Sequence, residues 1–336
     1  MLNTSSLNSL NDHPGYTAHF MDLAMWQTYV MQVCAWHGFG CKTIVPGIPG
    51  TYPTFIVEVE DAPIQLSKAI VVKFFGPLFN GADSFEVEKD LGYWLEKQFL
   101  PIPSPGICAY GRLDENWQYL VFEYIHGMSI GQDRDQLTKE DWSTVACQVG
   151  EYIRCLHDLT RDDQHAIPIS LQPGMNRFVG FLEQQRIKCA INHRSWNDLP
   201  EHLLTQVDDF TLPVDQLINI SAPLYLIHAD LTSDHLLGKV SQGVWHTQAI
   251  IDWGDAMIGN VLYELVSIHV DLFGSEKKLL RLCLDTYDLP EFYRKDFPHK
   301  ALSMVLLHQF PMPEQIYAPY REAGSLWELA DRMFAV

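Results

Sequence analysis

The sequence lacks the features that mark secreted, membrane-spanning and repetitive proteins. Its seven cysteines are odd in number and form no Cys-x-x-Cys pair, which argues against a disulfide framework or a zinc site. No stretch approaches the roughly 18 apolar residues of a membrane span, and the polar N-terminal segment has no apolar signal-peptide core. The pattern therefore predicts a cytoplasmic protein with reduced thiols.

Basic residues are also scarce. Lysine and arginine total 23 against 42 aspartates and glutamates, which gives a net charge of −19. Such a surface repels phosphodiester backbones and anionic lipid, so neither nucleic acid nor a membrane is the expected partner. The composition, 47% hydrophobic and 19% charged, is that of a globular chain, and 336 residues favour two domains.

Hydrophobic periodicity divides the chain into two parts. The first part contains a helical pattern over Phe20–Trp36, four β-rich segments and a helix that includes Glu88; the β-rich segments are Phe55–Glu60, Ala69–Phe75, Ile107–Tyr110 and Tyr119–Glu123. After Gly127 the pattern is mostly helical, interrupted by β-type segments at Leu224–His228 and Gln248–Asp252 and a hairpin turn near Ser241–Gly243. We predict an α+β fold with a small β-rich N-lobe (1–124) and a larger helical C-lobe (125–336).

A lysine lies inside the most apolar of the predicted strands. Lys73 belongs to the run Ile70–Phe75, and an unpaired ammonium is costly to bury, so this side chain requires an anion. Glu88, on the next helix, is the nearest candidate. The alternative is an edge-strand lysine whose aliphatic stem lets the charge reach water.

Two polar clusters follow in the second part of the chain. His228, Asp230 and His235 crowd between two apolar segments, and Asp252 and Asp255 come directly after another. Each cluster alone is compatible with an ordinary turn. In order, however, a strand lysine, a helix glutamate, His-x-Asp and Asp-aromatic-Gly are the residues that phosphoryl transfer from a nucleotide requires.

These segments resemble the aminoglycoside phosphotransferase and small-molecule kinase family, which has a protein-kinase-like fold. The resemblance runs from about Pro46 to Leu265. Leu226–Leu237 is similar to the catalytic loop, usually H-G-D-x-x-x-x-N, and Ile250–Gly259 is similar to the metal loop. The H-A-D and I-D-W pieces are most similar to those of hygromycin phosphotransferase. The resemblance implies an enzyme that uses ATP or GTP with Mg²⁺ to phosphorylate a hydroxyl group of a small molecule.

The resemblance also implies a role for each matching residue. Lys73 would contact the nucleotide phosphates, oriented by Glu88, and Asp252 would bind Mg²⁺. Asp230 would be the catalytic base, and His228 would brace its loop through the ring nitrogens. The backbone of Phe122, Glu123 and Tyr124 would bind adenine, and Glu264 would stabilise the loop around Asp252.

The chain departs from the family pattern at two places. His235 stands where the family usually has asparagine, and imidazole suits Zn²⁺, Cu²⁺ or Ni²⁺ better than Mg²⁺. Either His235 binds a metal through nitrogen, or Asp234 or water replaces that ligand, or one metal alone is held firmly. The phosphate loop, residues 47–54, contains two prolines without an N–H, so Gly50, Thr51 and Tyr52 are expected to cover the nucleotide.

The acceptor is the least constrained part of this interpretation. Asp133, Asp135, Asp255 and Glu264 are candidates to receive amino or guanidinium groups, although each carboxylate alone is compatible with a solvated surface. The expected acceptor is an aminoglycoside, another amino sugar, or a hydroxylated amine or guanidine metabolite. The oligomeric state is left open, and the alternative function is a pseudokinase-like binding or regulatory module without catalysis.

Overall fold

The computed structural model describes residues 4–60, 68–161, 167–171, 174–312 and 318–336. The chain forms two compact units. The first comprises Met1–Phe99, Pro103–Gly127 and Gln248–Asp255, and the second comprises Leu100–Ile102, Met128–Thr247 and Ala256–Val336. The predicted division at residue 124 does not include this return of the chain: Gln248–Asp255, expected in the second lobe, packs with the first unit.

An antiparallel sheet of five strands forms the centre of the first unit. Its strands in chain order are β1 (Cys41–Pro46), β2 (Thr54–Val59), β3 (Ala69–Phe75), β4 (Ile107–Arg112) and β5 (Gln118–Glu123). Their spatial order is β1-β2-β3-β5-β4, so β3 is the middle strand. Lys73 pairs with Thr54 of β2 on one side and Leu120 of β5 on the other.

The two faces of β3 bury different side chains, because successive residues of a strand alternate between faces. Ile70, Val72 and Phe74 belong to one core cluster, and Phe75 belongs to another with Phe85 of the following helix. Lys73 shares the face of Phe75. Alternation therefore directs its side chain toward the helix that contains Glu88.

Three helices accompany this sheet. They are α1 (His13–His19), α2 (Leu23–Trp36) and α3 (Gly81–Leu95), and a short 3₁₀ helix (Thr4–Leu10) precedes them. The helix predicted from Phe20 begins instead at Leu23, because the Asp22 side chain accepts the N–H of Ala24 and caps the first turn. Trp26 of α2 stacks on Phe74 with ring centroids 4.7 Å apart.

The second unit is mainly helical. Its α-helices in chain order are α4 (Lys139–Arg161), α5 (Gly174–Trp196), α6 (Glu201–Leu204), α7 (Val207–Phe210), α8 (Val214–Leu217), α9 (Val261–Ser267), α10 (Lys277–Tyr287), α11 (Glu291–Arg294), α12 (Phe297–Leu306) and α13 (Leu326–Phe334). A π-helical turn, Ile268–Leu272, follows α9. Within the ranges described, no helix combines the length and the apolar character needed to cross a membrane.

Short strands frame the polar loops. They are β6 (Met128–Ser129), β7 (Tyr225–Ile227), β8 (Leu236–Ser241), β9 (Val244–Ile250) and β10 (Met257–Gly259). The predicted hairpin is confirmed, since β8 and β9 are joined at Gln242 and Gly243, both with positive φ. The loop with Asp230 connects β7 to β8, and the loop with Asp252 follows β9.

Candidate active site

Lys73 forms a buried ion pair with Glu88, as the sequence predicted. The Nζ atom of Lys73 lies 2.8 Å from Oε2 of Glu88, and the two side chains are 7% and 5% exposed. The alternative of an edge-strand lysine that reaches water is wrong, because β3 is the middle strand of the sheet. The ammonium is held inside the first unit by a partner on α3.

The same ammonium has a second carboxylate partner, which was not predicted from the sequence. Nζ of Lys73 lies 2.7 Å from Oδ1 of Asp252, whose side chain is 30% exposed. Burial alone would lower the pKa of Lys73, but the charges of Asp252 and Glu88 raise it above its ordinary value. Burial raises the pKa of Glu88, and the charge of Asp252 adds to this against the opposing effect of Lys73. Two carboxylates therefore share one ammonium.

The loop that presents Asp252 is fixed on both sides of that residue. The N–H of Ile250 donates to the carbonyl of Pro103 at 3.0 Å, and the indole N–H of Trp253 donates to Oγ of Ser104 at 3.0 Å. Asp252 itself has φ 66°, in the left-handed region that costs a non-glycine residue about 1–2 kcal/mol. Gly254 permits the close approach of α3, since a Cβ there would lie 3.3 Å from Cβ of Ser84.

The main chain of Asp230 is held between two histidines. Its N–H donates to Nδ1 of the fully buried His228 at 3.3 Å, and its carbonyl lies 2.6 Å from Nδ1 of His235. A carbonyl oxygen only accepts, so Nδ1 of His235 carries the proton of this hydrogen bond. The two imidazole rings have centroids 5.8 Å apart.

Glu264 anchors the same loop. Its two carboxylate oxygens accept the N–H groups of His228 at 3.2 Å and Ala229 at 2.8 Å. Burial raises the pKa of this carboxyl to about 7, although both backbone donors oppose the shift. The prediction that Glu264 stabilises the loop around Asp252 is wrong, because these bonds go to the loop of Asp230. The side chain is 0% exposed, so Glu264 is also excluded as a contact for an acceptor.

The backbone conformation of Ala229 explains why the family motif has a glycine at this position. Its φ is 67°, and a glycine adopts that conformation without the steric cost of a Cβ. The strained residue directly precedes Asp230. Residues in such conformations persist only where the surrounding structure holds them, and Glu264 supplies part of that restraint.

A further brace at this loop gave no signal in the sequence. Oδ1 of Asp271, in the π-helical turn, accepts both the N–H and the hydroxyl of Ser233 at 2.7 Å each. Arg134 donates to the carbonyls of Asp271 and Leu272 at 3.0 Å and holds that turn in place. Asp234, which the sequence offered as a replacement metal ligand, accepts from Oγ of Ser129 at 3.3 Å.

The candidate adenine segment lies at the end of β5. Phe122 and Tyr124 are partly buried and Glu123 is exposed. The N–H of Glu123 donates to the carbonyl of Gly106 at 2.9 Å, so this donor is committed to the segment that leads into β4. Hydrogen bonds to a base therefore depend on the other backbone groups of the segment.

The candidate phosphate loop joins β1 to β2. Gly50 and Thr51 are exposed at its tip, whereas Tyr52 is buried. The Tyr52 ring lies below the lysine, with Nζ of Lys73 5.5 Å from the ring centroid. Tyr52 thus contributes its side chain to the surroundings of Lys73, in addition to the backbone that the sequence suggested.

The aspartates considered as contacts for an acceptor, and their neighbour Asp141, fall into two groups by exposure. Asp135 is exposed and Asp255 is partly exposed, which leaves both accessible to a ligand. Asp133 is buried and accepts from the Gln136 side chain at 2.9 Å. Asp141 caps α4 through Thr138 and accepts the N–H of Trp245 at 3.0 Å. Asp133 and Asp141 are therefore structural.

The donor chemistry of the Asp252 carboxylate is compatible with Mg²⁺. A carboxylate is the hard ligand that Mg²⁺ prefers, and this ion commonly takes one or two protein carboxylates, with water and phosphate oxygens completing its shell. The nitrogen of His235 fits Mg²⁺ poorly. Across the part of the chain that the structure describes, no group of three or more His, Cys, Asp or Glu side chains forms a metal cluster.

Comparison with protein families places the chain in one of them. Residues 53–287 match the model of the phosphotransferase enzyme family, APH, over more than half of the chain. The chain therefore belongs to this family.

Solved structures confirm the predicted protein-kinase-like fold. The GDP complex of aminoglycoside 2'-phosphotransferase-IIIa has a TM-score of 0.64 at 16% identity, covering 91% of this chain and 98% of that one. The streptomycin–ATP complex of APH(2")-IIa has a TM-score of 0.56 at 15% identity, covering 94% and 99%. The GDP and kanamycin complex of APH(2")-IIia has a TM-score of 0.64 at 18% identity, covering 83% and 88%.

A curated relative is much longer than this chain. Lysine-specific demethylase JMJ21 of Arabidopsis thaliana is 26% identical over 218 residues, which are 55% of this chain and 23% of that protein. The chain thus spans less than a quarter of the relative's length.

Proposed function

We propose that the protein transfers the γ-phosphoryl group of ATP or GTP to a hydroxyl of a small amine- or guanidine-bearing molecule. One observation carries the proposal: the main chain of Asp230 is fixed by His228 and His235, in a loop that Glu264 anchors. A carboxylate positioned in this way is suited to accept a proton from a bound hydroxyl group.

The first unit supplies the nucleotide contacts in this proposal. Lys73 binds the α- and β-phosphates, and Glu88 keeps the ammonium oriented through the 2.8 Å bond. Gly50, Thr51 and Tyr52 cover the phosphates, and the backbone of residues 122–124 binds the base. In an acidic chain, the charge of the triphosphate has to be neutralised locally, and the buried ammonium of Lys73 supports that role.

Asp252 is the proposed protein ligand of Mg²⁺. Its Oδ1 accepts a hydrogen bond from Lys73, so the carboxylate proposed to bind the metal lies next to the ammonium proposed to bind phosphate. When bound, Mg²⁺ would neutralise charge on the phosphate oxygens. His235 braces Asp230 through Nδ1, so a bond from this ring to a metal would have to come from Nε2.

Asp230 is the proposed base of the transfer step. The acceptor oxygen forms a bond to the γ-phosphorus while the bond from that phosphorus to the β,γ-bridging oxygen breaks. The hydroxyl proton passes to the Asp230 carboxylate, and the nucleoside diphosphate leaves. Positioning and charge stabilisation supply most of the acceleration in such reactions.

A cationic acceptor is supported by charge and by the neighbours. The structural neighbours include complexes with kanamycin, streptomycin and gentamicin. This chain is acidic, and Asp135 and Asp255 are accessible carboxylates that suit an amine or a guanidine. The proposed acceptor class is therefore a hydroxylated amine, amino sugar or guanidine.

The second candidate is a nucleotide-binding module without catalysis. Two features favour it: Pro49 and Pro53 remove N–H donors from the phosphate loop, and His235 replaces the usual metal-binding amide. The intact set of Lys73, Glu88, Asp230 and Asp252 favours the kinase.

Mass spectrometry distinguishes the two candidates. The full chain is incubated with Mg-ATP and a panel of aminoglycosides, amino sugars and hydroxylated amines, and products are searched for the gain of one phosphoryl group. The kinase predicts a modified acceptor together with nucleoside diphosphate. A protein that binds nucleotide but yields no modified species and no diphosphate over the whole panel favours the binding module.

A further inference from the structure

The segment before the family match folds onto the sheet of the first unit. The family model begins at residue 53, whereas the 3₁₀ helix, α1 and α2 all precede it. Leu7, Tyr16 and Trp26 belong to the same core cluster as Phe55 and Phe74 of the sheet. This segment is therefore an integral part of the nucleotide-binding unit.

The first two elements of this segment are packed closely enough to fix α1. A Cβ at Gly15 would lie 1.7 Å from the carbonyl oxygen of Ser9, so only glycine permits the contact between the 3₁₀ helix and α1. The Asp12 side chain accepts the N–H of Gly15 at 2.8 Å and caps α1. Tyr16 on α1 is consequently held in a defined position.

Tyr16 reaches the tip of the phosphate loop. Its hydroxyl donates to the carbonyl of Thr51 at 2.6 Å, and the side chain is 7% exposed. Burial, with a smaller contribution from Tyr52, raises the pKa of Tyr16 above its ordinary value, so the hydroxyl stays protonated as a donor.

The neighbouring residue, Tyr52, is bound to α3 and to the segment that precedes it. The Tyr52 hydroxyl lies 2.7 Å from the carbonyl of Phe79 and 2.9 Å from Oγ of Ser84. The Phe79 ring packs edge-on against Tyr16 with centroids 5.5 Å apart. Tyr16, Phe79 and Tyr52 thus form a closed set of contacts around one end of the loop.

These contacts fix one peptide plane. The described residues contain no cis peptide, and across a planar trans peptide the carbonyl of Thr51 and the N–H of Tyr52 point in opposite directions. A carbonyl bound to Tyr16 therefore turns the Tyr52 N–H away from α1. This N–H is valuable because Pro49 and Pro53 donate none.

We propose that Tyr16 is a positioning residue for nucleotide phosphates: through the Thr51 carbonyl it orients the Tyr52 N–H to donate to a phosphate oxygen. The inference rests on the proposed nucleotide-binding function and extends it to a residue outside the family match. It assigns the N-terminal segment a part in phosphate recognition and none in binding the base.

Tyr16→Phe tests this with the loss of a single oxygen. Dissociation constants are measured for Mg-ADP and for adenosine, which lacks phosphate, on the full-length variant and wild type. The loss of one oriented hydrogen bond predicts an affinity for Mg-ADP that is about five- to tenfold weaker. The affinity for adenosine should be unchanged. The KM for ATP rises by the same factor while kcat at saturating ATP stays within about twofold.

Tyr119→Phe is the matched control. Tyr119 is buried in the same core cluster, and its hydroxyl lies 2.9 Å from Nε2 of His37 rather than at the loop. A merely structural role for Tyr16 predicts that both variants lose thermal stability and behave alike toward Mg-ADP. The inference predicts that Tyr16→Phe alone loses Mg-ADP affinity.

The outcomes separate this inference from the proposed function. Wild type that fails to bind Mg-ADP would overturn both. Wild type that binds Mg-ADP, with Tyr16→Phe unchanged or with adenosine weakened equally, would overturn the inference and leave the proposed kinase intact.

Discussion

The ammonium of Lys73 donates to the carboxylate of Asp252 at 2.7 Å, although 179 residues separate them in the chain. The contact joins the middle strand of the sheet to the loop after β9. It places a fixed positive charge beside the carboxylate proposed to bind Mg²⁺. Glu88 completes the arrangement from α3.

Removal of the Lys73 ammonium should lower the free energy of unfolding. Lys73→Met leaves the buried Glu88 carboxylate without its cation, a loss of about 3–5 kcal/mol in the free energy of unfolding. Lys73→Met/Glu88→Leu removes the stranded charge and should regain most of that stability, measured by urea unfolding. Neither variant should bind Mg-ADP with wild-type affinity. Full Mg-ADP affinity in the double variant would exclude Lys73 as a phosphate ligand.

The sequence predicted the Lys73–Glu88 pair because both rules involved are local. A buried lysine requires an anion, and strand alternation directs Lys73 to the face on which α3 packs. The predicted strand Ala69–Phe75 was confirmed at both ends for the same reason, since a continuous apolar run marks a central strand.

Three contacts that the sequence did not predict, those of Asp252, Asp271 and Tyr16, are made across long chain separations. The Lys73–Asp252 bond depends on the return of residues 248–255 to the first unit. Asp271 accepts the N–H and the hydroxyl of Ser233, and Tyr16 donates to the carbonyl of Thr51; a backbone partner leaves no residue-type signal. Glu264 was expected to stabilise the loop around Asp252, whereas its hydrogen bonds go to the loop of Asp230, 36 and 35 residues earlier in the chain.

Asp271 should act on turnover through the position of the catalytic loop. Asp271→Ala removes the acceptor for both the N–H and the hydroxyl of Ser233, and we expect kcat to fall about tenfold with the KM for ATP unchanged. Asp271→Asn retains an oxygen at the same position and should preserve most of kcat. Equal loss in both variants would show that the charge, rather than the hydrogen bonds to Ser233, is what matters.

His235 should influence which metal the protein binds. In the presence of ADP, His235→Asn should lower the affinity for Co²⁺ about tenfold, because imidazole nitrogen favours this metal over Mg²⁺. The visible absorption of bound Co²⁺ should shift at the same time, and Mg²⁺ affinity should be retained or increase. Unaltered Co²⁺ affinity and spectrum would mean that His235 acts only as the brace of Asp230.

The pair of His193 and Asp198 predicts a specific pH dependence of stability. Burial alone would lower the pKa of His193, but hydrogen bonding to Asp198, at 2.9 Å from Nδ1, raises it to about 10. Nε2 also donates, to the carbonyl of Leu306 at 2.9 Å, so the ring is doubly protonated. A folded pKa above the ordinary value gives stabilisation that is complete below about pH 6.5 and is lost as pH rises through about 10.

Unfolding measurements across this window test the sign. Wild type should lose up to about 1.4 kcal/mol per pH unit from this group, and His193→Gln should show a flatter profile. His202→Gln is the control, because it replaces a histidine bonded to the Ala323 carbonyl. Parallel profiles for wild type and His193→Gln would contradict a charged His193.

Asp230→Asn tests the proposed chemistry most directly. The amide keeps the shape of the side chain and leaves the main-chain bonds to His228 and His235 in place, but it cannot accept the hydroxyl proton. Phosphoryl transfer to the acceptor identified by mass spectrometry is measured together with Mg-ADP binding. The kinase with Asp230 as base predicts that transfer falls by at least about a hundredfold while Mg-ADP affinity stays at the wild-type value. Unchanged turnover in Asp230→Asn would contradict it.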